Sequence, residues 1–258
     1  MSARARLFLI LWLAGLAGVL SFQLVDLPRL IAKLPGAANK PLPLPMAVIR
    51  LLSVMQPGVL VGVAAIIGVM LAPKVGLTAP AAQAVADRRP VLPALRPQLL
   101  PGLLGAAVAA PAIIGCWLLW KHFLTPSFME TAAEFSRMLP PATRLLYGGF
   151  TEEVLLRWGF MTLVVWSGWK GLQGGTGAPR STVVVGAIVC SALVFGAGHL
   201  PLAIALNGGP SLALVGYVVF ANSIFGVVAG VLYWKYGLES AMVAHALTHV
   251  GFLLSGLI

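Results

Sequence analysis

Charge is what this 258-residue chain has least of. Only 9% of its residues are charged, against roughly 25% in ordinary soluble domains. The chain is also 59% hydrophobic, with a mean hydropathy of +0.96. So little charge cannot coat a soluble domain of this length, which leaves an integral membrane protein. Acidic residues are scarcer still, 7 against 17 Lys and Arg, for a net charge of +10. The basic residues lie mostly in connecting segments, where they suit anionic lipid headgroups. They form no dense cluster with interleaved aromatics and have no soluble scaffold to carry one, so a nucleic-acid partner has little support. The two cysteines, Cys116 and Cys190, both fall in apolar runs and read as small buried residues rather than a disulfide. No Gly-x-Ser-x-Gly elbow, no His-Glu-x-x-His and no phosphate loop is present.

What the chain does have is apolar runs of spanning length. Seven candidate spans fall at about residues 7–24, 46–72, 99–120, 142–166, 181–202, 211–234 and 239–257, each near the ~20 residues a bilayer requires. The expected fold is therefore all-α, one polytopic transmembrane helical bundle of about seven spans. The first run follows Arg4 and Arg6, as in a secretory signal. It is long and lacks a small-x-small cleavage site, so it reads as an uncleaved span. A proline-rich linker from Leu34 to Pro45 separates the first two spans. A second linker, Pro73 to Gln98, carries Lys74, Arg88, Arg89 and Arg96 and reads as a polar surface loop. Phe128, Ala132, Phe135 and Met138 recur at helical spacing among Glu130, Glu134 and Arg137, the pattern of a short amphipathic helix at the interface. The glycines of Gly171 to Pro179 mark a turn.

Basic residues on alternate faces test the orientation. The N-terminal face collects Arg4, Arg6, Lys74, Arg88, Arg89, Arg96, Lys170, Arg180 and Lys235. The other collects Arg29, Lys33, Lys40, Lys121, Arg137 and Arg144. The excess favours a cytoplasmic N-terminus and, with seven spans, an outer C-terminus.

Against this background Glu152-Glu153-Val154-Leu155-Leu156-Arg157 stands out. A charge at the bilayer centre costs about 3 kcal/mol on insertion scales, so three in six residues require partners or a water-filled cavity. On an α-helix Glu153 and Arg157, four apart, face each other as an ion pair, while Glu152 points about 100° away. One glutamate is then neutralised and its neighbour stays available. Three of the four histidines add to the cluster. His199 closes the fifth span in Phe195-Gly196-Ala197-Gly198-His199, whose glycines allow a close helix approach. His245 and His249, also four apart, share a face of the seventh. Taken singly, each polar group is as easily a structural knot or a satisfied core residue. Together they fit two chemistries: a carboxylate and imidazole activating water with donors for an oxyanion, or Glu and His ligands holding a water-activating metal.

Glu152-Glu153-x-x-x-Arg157, then Phe195-x-x-x-His199, then His245-x-x-x-His249 resemble the ordered motifs of the CPBP family, the CAAX-protease and bacteriocin-processing membrane proteins. The resemblance covers about residues 142–258, a CPBP-like helical core, and leaves 1–141 as N-terminal spans, basic loops and the interfacial helix. It implies an intramembrane glutamic endopeptidase without a cofactor, in the membrane of a bacterial or archaeal cell. Glu152 would activate water with His199, Glu153 and Arg157 would support them, and the third motif, His245 and His249, would serve the oxyanion. The implied partners are membrane lipid and a peptide or protein with a membrane-proximal cleavage site. The family usually carries Asn where this chain has His249, and a histidine donates hydrogen bonds with different geometry. A metal site of Glu152, His199, His245 and His249 is therefore an alternative. Rivals from other classes are a non-catalytic scaffold or immunity-type protein of the same fold, and a transporter relaying protons. By the charge count the site opens to the non-cytoplasmic face, which suits exported substrates.

Overall fold

A computed structural model describes residues 1–33 and 44–256, and every regular element among them is helical. Helix α1 (Ala3–Ser21) starts where Ser2 Oγ accepts the Ala5 N–H. It is followed by α2 (Leu27–Ala32), α3 (Met46–Leu71), α4 (Pro80–Ala86), α5 (Leu92–Trp120) and α6 (Pro126–Met138). A continuous helical stretch then runs over residues 141–173: α7 (Pro141–Thr143), π-helical turns over Arg144–Glu152 and Val154–Met161, and α8 (Thr162–Gln173). The chain continues with α9 (Ser181–Gly198), α10 (Leu200–Asn207), α11 (Leu212–Lys235) and α12 (Leu238–Ser255).

Five helical segments are long and apolar enough to cross a membrane: Ala3–Leu24, Met46–Lys74, Leu92–Phe123, Ser181–Asn207 and Leu212–Lys235. This is a multi-pass membrane protein. Large apolar side chains such as Leu13, Leu100, Val108 and Leu119 are exposed along these helices. In water such a belt would aggregate, whereas acyl chains solvate it. The five match the first, second, third, fifth and sixth expected spans. Segment 141–173 and α12 occupy the places of the fourth and seventh, and the charges and histidines they carry lower their hydropathy.

Helix association in lipid gains little from apolar burial and relies on small residues and interhelical hydrogen bonds. Both devices pin segment 141–173. Thr143 Oγ1 donates to Ser21 O at 3.0 Å, Thr151 Oγ1 to Gly15 O at 2.6 Å, and Trp158 Nε1 to Ala65 O at 3.3 Å. The Thr162 hydroxyl meets Tyr233 Oη at 2.8 Å. On the other side α9 and α11 pack backbone to backbone. A Cβ on Gly226 would lie 2.6 Å from Ala192 Cα, and one on Gly196 2.6 Å from Val219 O. Of the two glycines before His199, only Gly196 makes such a contact, and Gly198 faces open space.

The segment read as a polar surface loop, Pro73 to Gln98, is for the most part packed structure. Leu77, Ala79, Ala81, Ala82, Ala84 and Ala86 are buried, and α5 begins at Leu92 rather than near 99. The Glu239 carboxylate accepts the Ala82 N–H at 2.8 Å in the first turn of α4, and buried Gln98 Oε1 accepts the Ser240 N–H at 3.1 Å in the first turn of α12. Alanine is small enough to pack a short helix tightly against neighbours, and proline is tolerated in a first turn, as at Pro80 and Pro93. The basic residues flank α4, with Lys74 before it, Arg88 and Arg89 in the turn after it, and Arg96 near the start of α5. The proline-rich linker falls mostly on residues 34–43, outside the described residues, and Pro45 stands at the N-cap of α3.

The amphipathic pattern near 130 forms α6, capped by Thr125 Oγ1 accepting the Phe128 N–H. Phe128, Ala132 and Phe135 pack with Leu206 and Leu214. Its polar side joins α2 through Glu134 and Lys33 at 2.9 Å, a hydrogen-bonded pair that holds the Glu134 carboxyl below its ordinary range. The glycine turn after α8 forms as expected, opening on Gly174 at φ 66°.

Candidate active site

Three elements bring the polar residues together: the π-helical turns of segment 141–173, the end of α9, and the middle of α12. Glu153 is fully buried. Its Oε1 accepts a hydrogen bond of 2.8 Å from His245 Nδ1, and its Oε2 lies 3.4 Å from Arg157 Nε. The expected pairing four residues apart is present, although Glu153 Oε2 and Arg157 Nε and Nη1 lack a hydrogen bond of good geometry. Arg157, also fully buried, donates from Nη2 to Gly226 O at 3.2 Å. Its guanidinium carbon lies 5.0 Å from the centroid of Phe195 and 5.7 Å from that of Phe225. Such cation–π contact suits a desolvated arginine.

Glu152 is turned differently, and its side chain keeps 17% of its surface exposed. Oε2 lies 3.6 Å from His245 Nε2, and Oε1 lies 3.9 Å from His199 Nε2. Neither separation is a hydrogen bond. The neighbouring glutamates thus address opposite nitrogens of one imidazole. The π-helical turns around them, with hydrogen bonds running from i to i+5, are the kind of irregularity found inside helices at functional sites.

His199 caps the end of α9, where its Nδ1 lies 2.8 Å from the carbonyl oxygen of Phe195. A carbonyl only accepts, so Nδ1 carries the proton and a neutral ring turns its Nε2 lone pair toward Glu152. The same argument applies to His245, whose Nδ1–H meets the Glu153 carboxylate. The motif residue Phe195 thus orients His199 through its carbonyl while its ring contacts both Arg157 and His245.

His245 and His249 share a face of α12 as expected, with rings stacked 5.1 Å apart and inclined by 11°. His249 is the outlier of the six. It makes no hydrogen bond among the described residues, meets the cluster through the His245 ring, and turns its edge to Phe252. Among the described residues no three His, Cys, Asp or Glu side chains are placed to hold a metal ion. Both cysteines are free.

Sequence reasoning missed Gly148. A Cβ there would lie 2.6 Å from His249 Nε2 and 3.0 Å from His245 Nε2, so only glycine lets the two rings sit against this helix. The pair Gly148-Gly149, separated by Phe150 and Thr151 from two glutamates in an apolar run, was the available signal. Phe225, 4.1 Å from the His245 ring, was also missed and has no signal of its own in an apolar helix.

No curated protein and no solved structure matches this chain. Residues 134–251, a stretch that contains all seven motif residues, match the family described as Type II CAAX prenyl endopeptidase Rce1-like.

Proposed function

We propose that the chain is an intramembrane endopeptidase in which Glu152 and His199 together activate water. The observation that carries this reading is the Glu152 carboxylate facing the Nε2 atoms of both His199 and His245 at 3.9 and 3.6 Å. Those gaps are too long for direct hydrogen bonds and suit one bridging water. A water there donates one hydrogen to the carboxylate and the other to the His199 lone pair. Glu152 takes a proton as the oxygen adds to the scissile carbonyl carbon, then returns it to the leaving amine as the C–N bond breaks. Glu153 and Arg157 position His245, and His249 of the third motif supplies a donor to the developing oxyanion.

The helices carrying Glu152 and His249 act as two further spans, which makes seven. Glu152 lies about three turns into its helix and His199 at the end of α9, so the site opens toward the face that holds α2, α6 and α10. By the distribution of basic residues this face is non-cytoplasmic, and the substrate is a membrane-associated or exported peptide in a bacterial or archaeal membrane.

The test is hydrolysis by the purified chain in liposomes. A degenerate library of lipid-tailed peptides is incubated in 18O-water, and products are read by mass spectrometry. Cleavage with 18O in the new carboxyl group, lost in His199→Ala, is the expected result. No cleavage, or cleavage undiminished in His199→Ala, overturns the proposal.

A further inference from the structure

Arg144 opens the π-helical turns that end at Glu152. Its Nη2 donates to the backbone carbonyl of Ser136 and, at 2.7 Å, to Ser136 Oγ, so α6 holds one corner of the guanidinium in place. The Nε–H is buried and has no hydrogen-bond partner among the described residues. Among the described residues no carboxylate pairs with Arg144, because the ion pairs present all join other groups. A half-buried guanidinium with neither counter-ion nor full hydrogen bonding is costly in this setting, and its persistence calls for a ligand.

Position supplies the second argument. Residues 144, 148 and 152 recur in steps of four, which keeps them on one side of their helix. Gly148 on that side packs against His249 and His245, and Glu152 meets His245 and His199. Arg144 is therefore one turn further toward the membrane face than the histidine pair, within electrostatic range of His249. A peptide bound across Glu152 passes this guanidinium within a few residues of the scissile bond.

We propose that Arg144 is a specificity-determining residue of this site, and that the part of its guanidinium left unclaimed by Ser136 takes a carboxylate of the bound peptide. The inference rests on the endopeptidase reading above. Guanidinium and carboxylate match in geometry as well as charge, which lysine cannot reproduce. The carboxylate can be the peptide's C-terminus or an acidic side chain, and the experiment separates these sources.

The probe is the same lipid-tailed library made in matched pools: C-terminal carboxylate or amide, each with Glu or Gln at the internal positions. Wild type should cleave the pools bearing the recognised carboxylate with kcat/KM higher by about tenfold or more, as a charge-assisted hydrogen bond supplies. Arg144→Gln should bring that ratio close to one, with the change mainly in KM. Arg144→Lys keeps the charge and serves where Arg144→Gln fails to fold; its ratio should fall to an intermediate value. A preference following the terminus names the terminal carboxylate, and one following Glu names a side chain. A clip that merely fastens α6 would change stability and leave the ratio alone. Equal cleavage of all pools by wild type, or a preference unchanged in the variants, overturns the proposal while the protease reading stands. An Arg144-dependent rate that tracks anionic lipid content instead of peptide charge also overturns it. Cleavage of no pool by wild type defeats the endopeptidase reading and this inference with it.

Discussion

Glu152 and Glu153 are neighbours in sequence yet hold different stations around one ring: Glu153 is hydrogen-bonded to His245 Nδ1 at 2.8 Å, and Glu152 stands 3.6 Å from His245 Nε2. The buried carboxylate is held between His245 and Arg157, and its neighbour keeps part of its surface exposed. In the proposed mechanism Glu152→Gln keeps shape and hydrogen bonding but cannot take a proton. Peptide cleavage should fall about 100-fold or more, the scale of a lost general base, while the unfolding midpoint in detergent stays close to that of wild type. Side-by-side rates and melts check this, and a variant retaining more than half the activity would remove Glu152 from the mechanism.

Glu153→Ala should behave in the opposite way, with stability the primary loss. The substitution strands Arg157 between Phe195 and Phe225 without its counter-ion. It also frees His245 from the hydrogen bond that tethers its ring to Glu153. Breaking a buried pair from one side typically costs about 3–5 kcal/mol. Thermal unfolding in detergent should show this as a clear downward shift. Melting at the wild-type temperature would mean the pair contributes nothing.

How much of this was legible beforehand divides along physical lines. Charges in an apolar run stand out because the membrane makes them costly, so Glu152, Glu153, Arg157 and the histidines could be found from composition and spacing. The turn at Gly174 and the helix α6 followed from glycine and from periodicity. Helix α4 did not, because alanines flanked by prolines and arginines look the same whether they pack or face water. The five most apolar spans were plain, whereas segment 141–173 and α12 carry charges and histidines that lower their hydropathy. The π-helical turns leave no composition signal, and they decide how two adjacent carboxylates reach one imidazole. Gly148 matters only through a neighbour about 100 residues away, a contact that no local pattern encodes.

Gly148→Ala tests that contact. The added methyl would lie 2.6 Å from His249 Nε2, closer than packed atoms tolerate, so the ring or the helix has to shift. Overpacking of this kind costs about 1–3 kcal/mol, a loss a bundle of this size should survive. Activity should suffer more than stability, because the displaced atoms border Glu152. The expected outcome is a folded protein with cleavage reduced about tenfold or more, checked by rate measurements on protein first shown to be monodisperse. Wild-type rates would show that the histidine pair has room to spare.

His249 remains the point where this chain departs from the usual Asn of the CPBP motif, and its geometry sharpens the alternatives. Its ring is stacked on His245 and has no hydrogen-bond partner among the described residues, so a donor is available for a group that arrives with the substrate. As an oxyanion donor, His249 should be replaceable by Asn, which offers an N–H of similar reach. His249→Asn should then keep substantial activity, while His249→Ala should lose a factor of about 100 or more, as removal of an oxyanion donor commonly does. As a metal ligand it should not tolerate Asn, because a metal-bound water depends on its whole ligand set. The described side chains offer no three-ligand arrangement, so the metal-free outcome is expected: chelator leaves the rate unchanged and Asn outperforms Ala. Rates for the two variants, measured with chelator and again after added zinc, decide between the chemistries. Activity abolished by chelator and restored by stoichiometric zinc, with Asn as inert as Ala, would move His249 from the oxyanion to a metal.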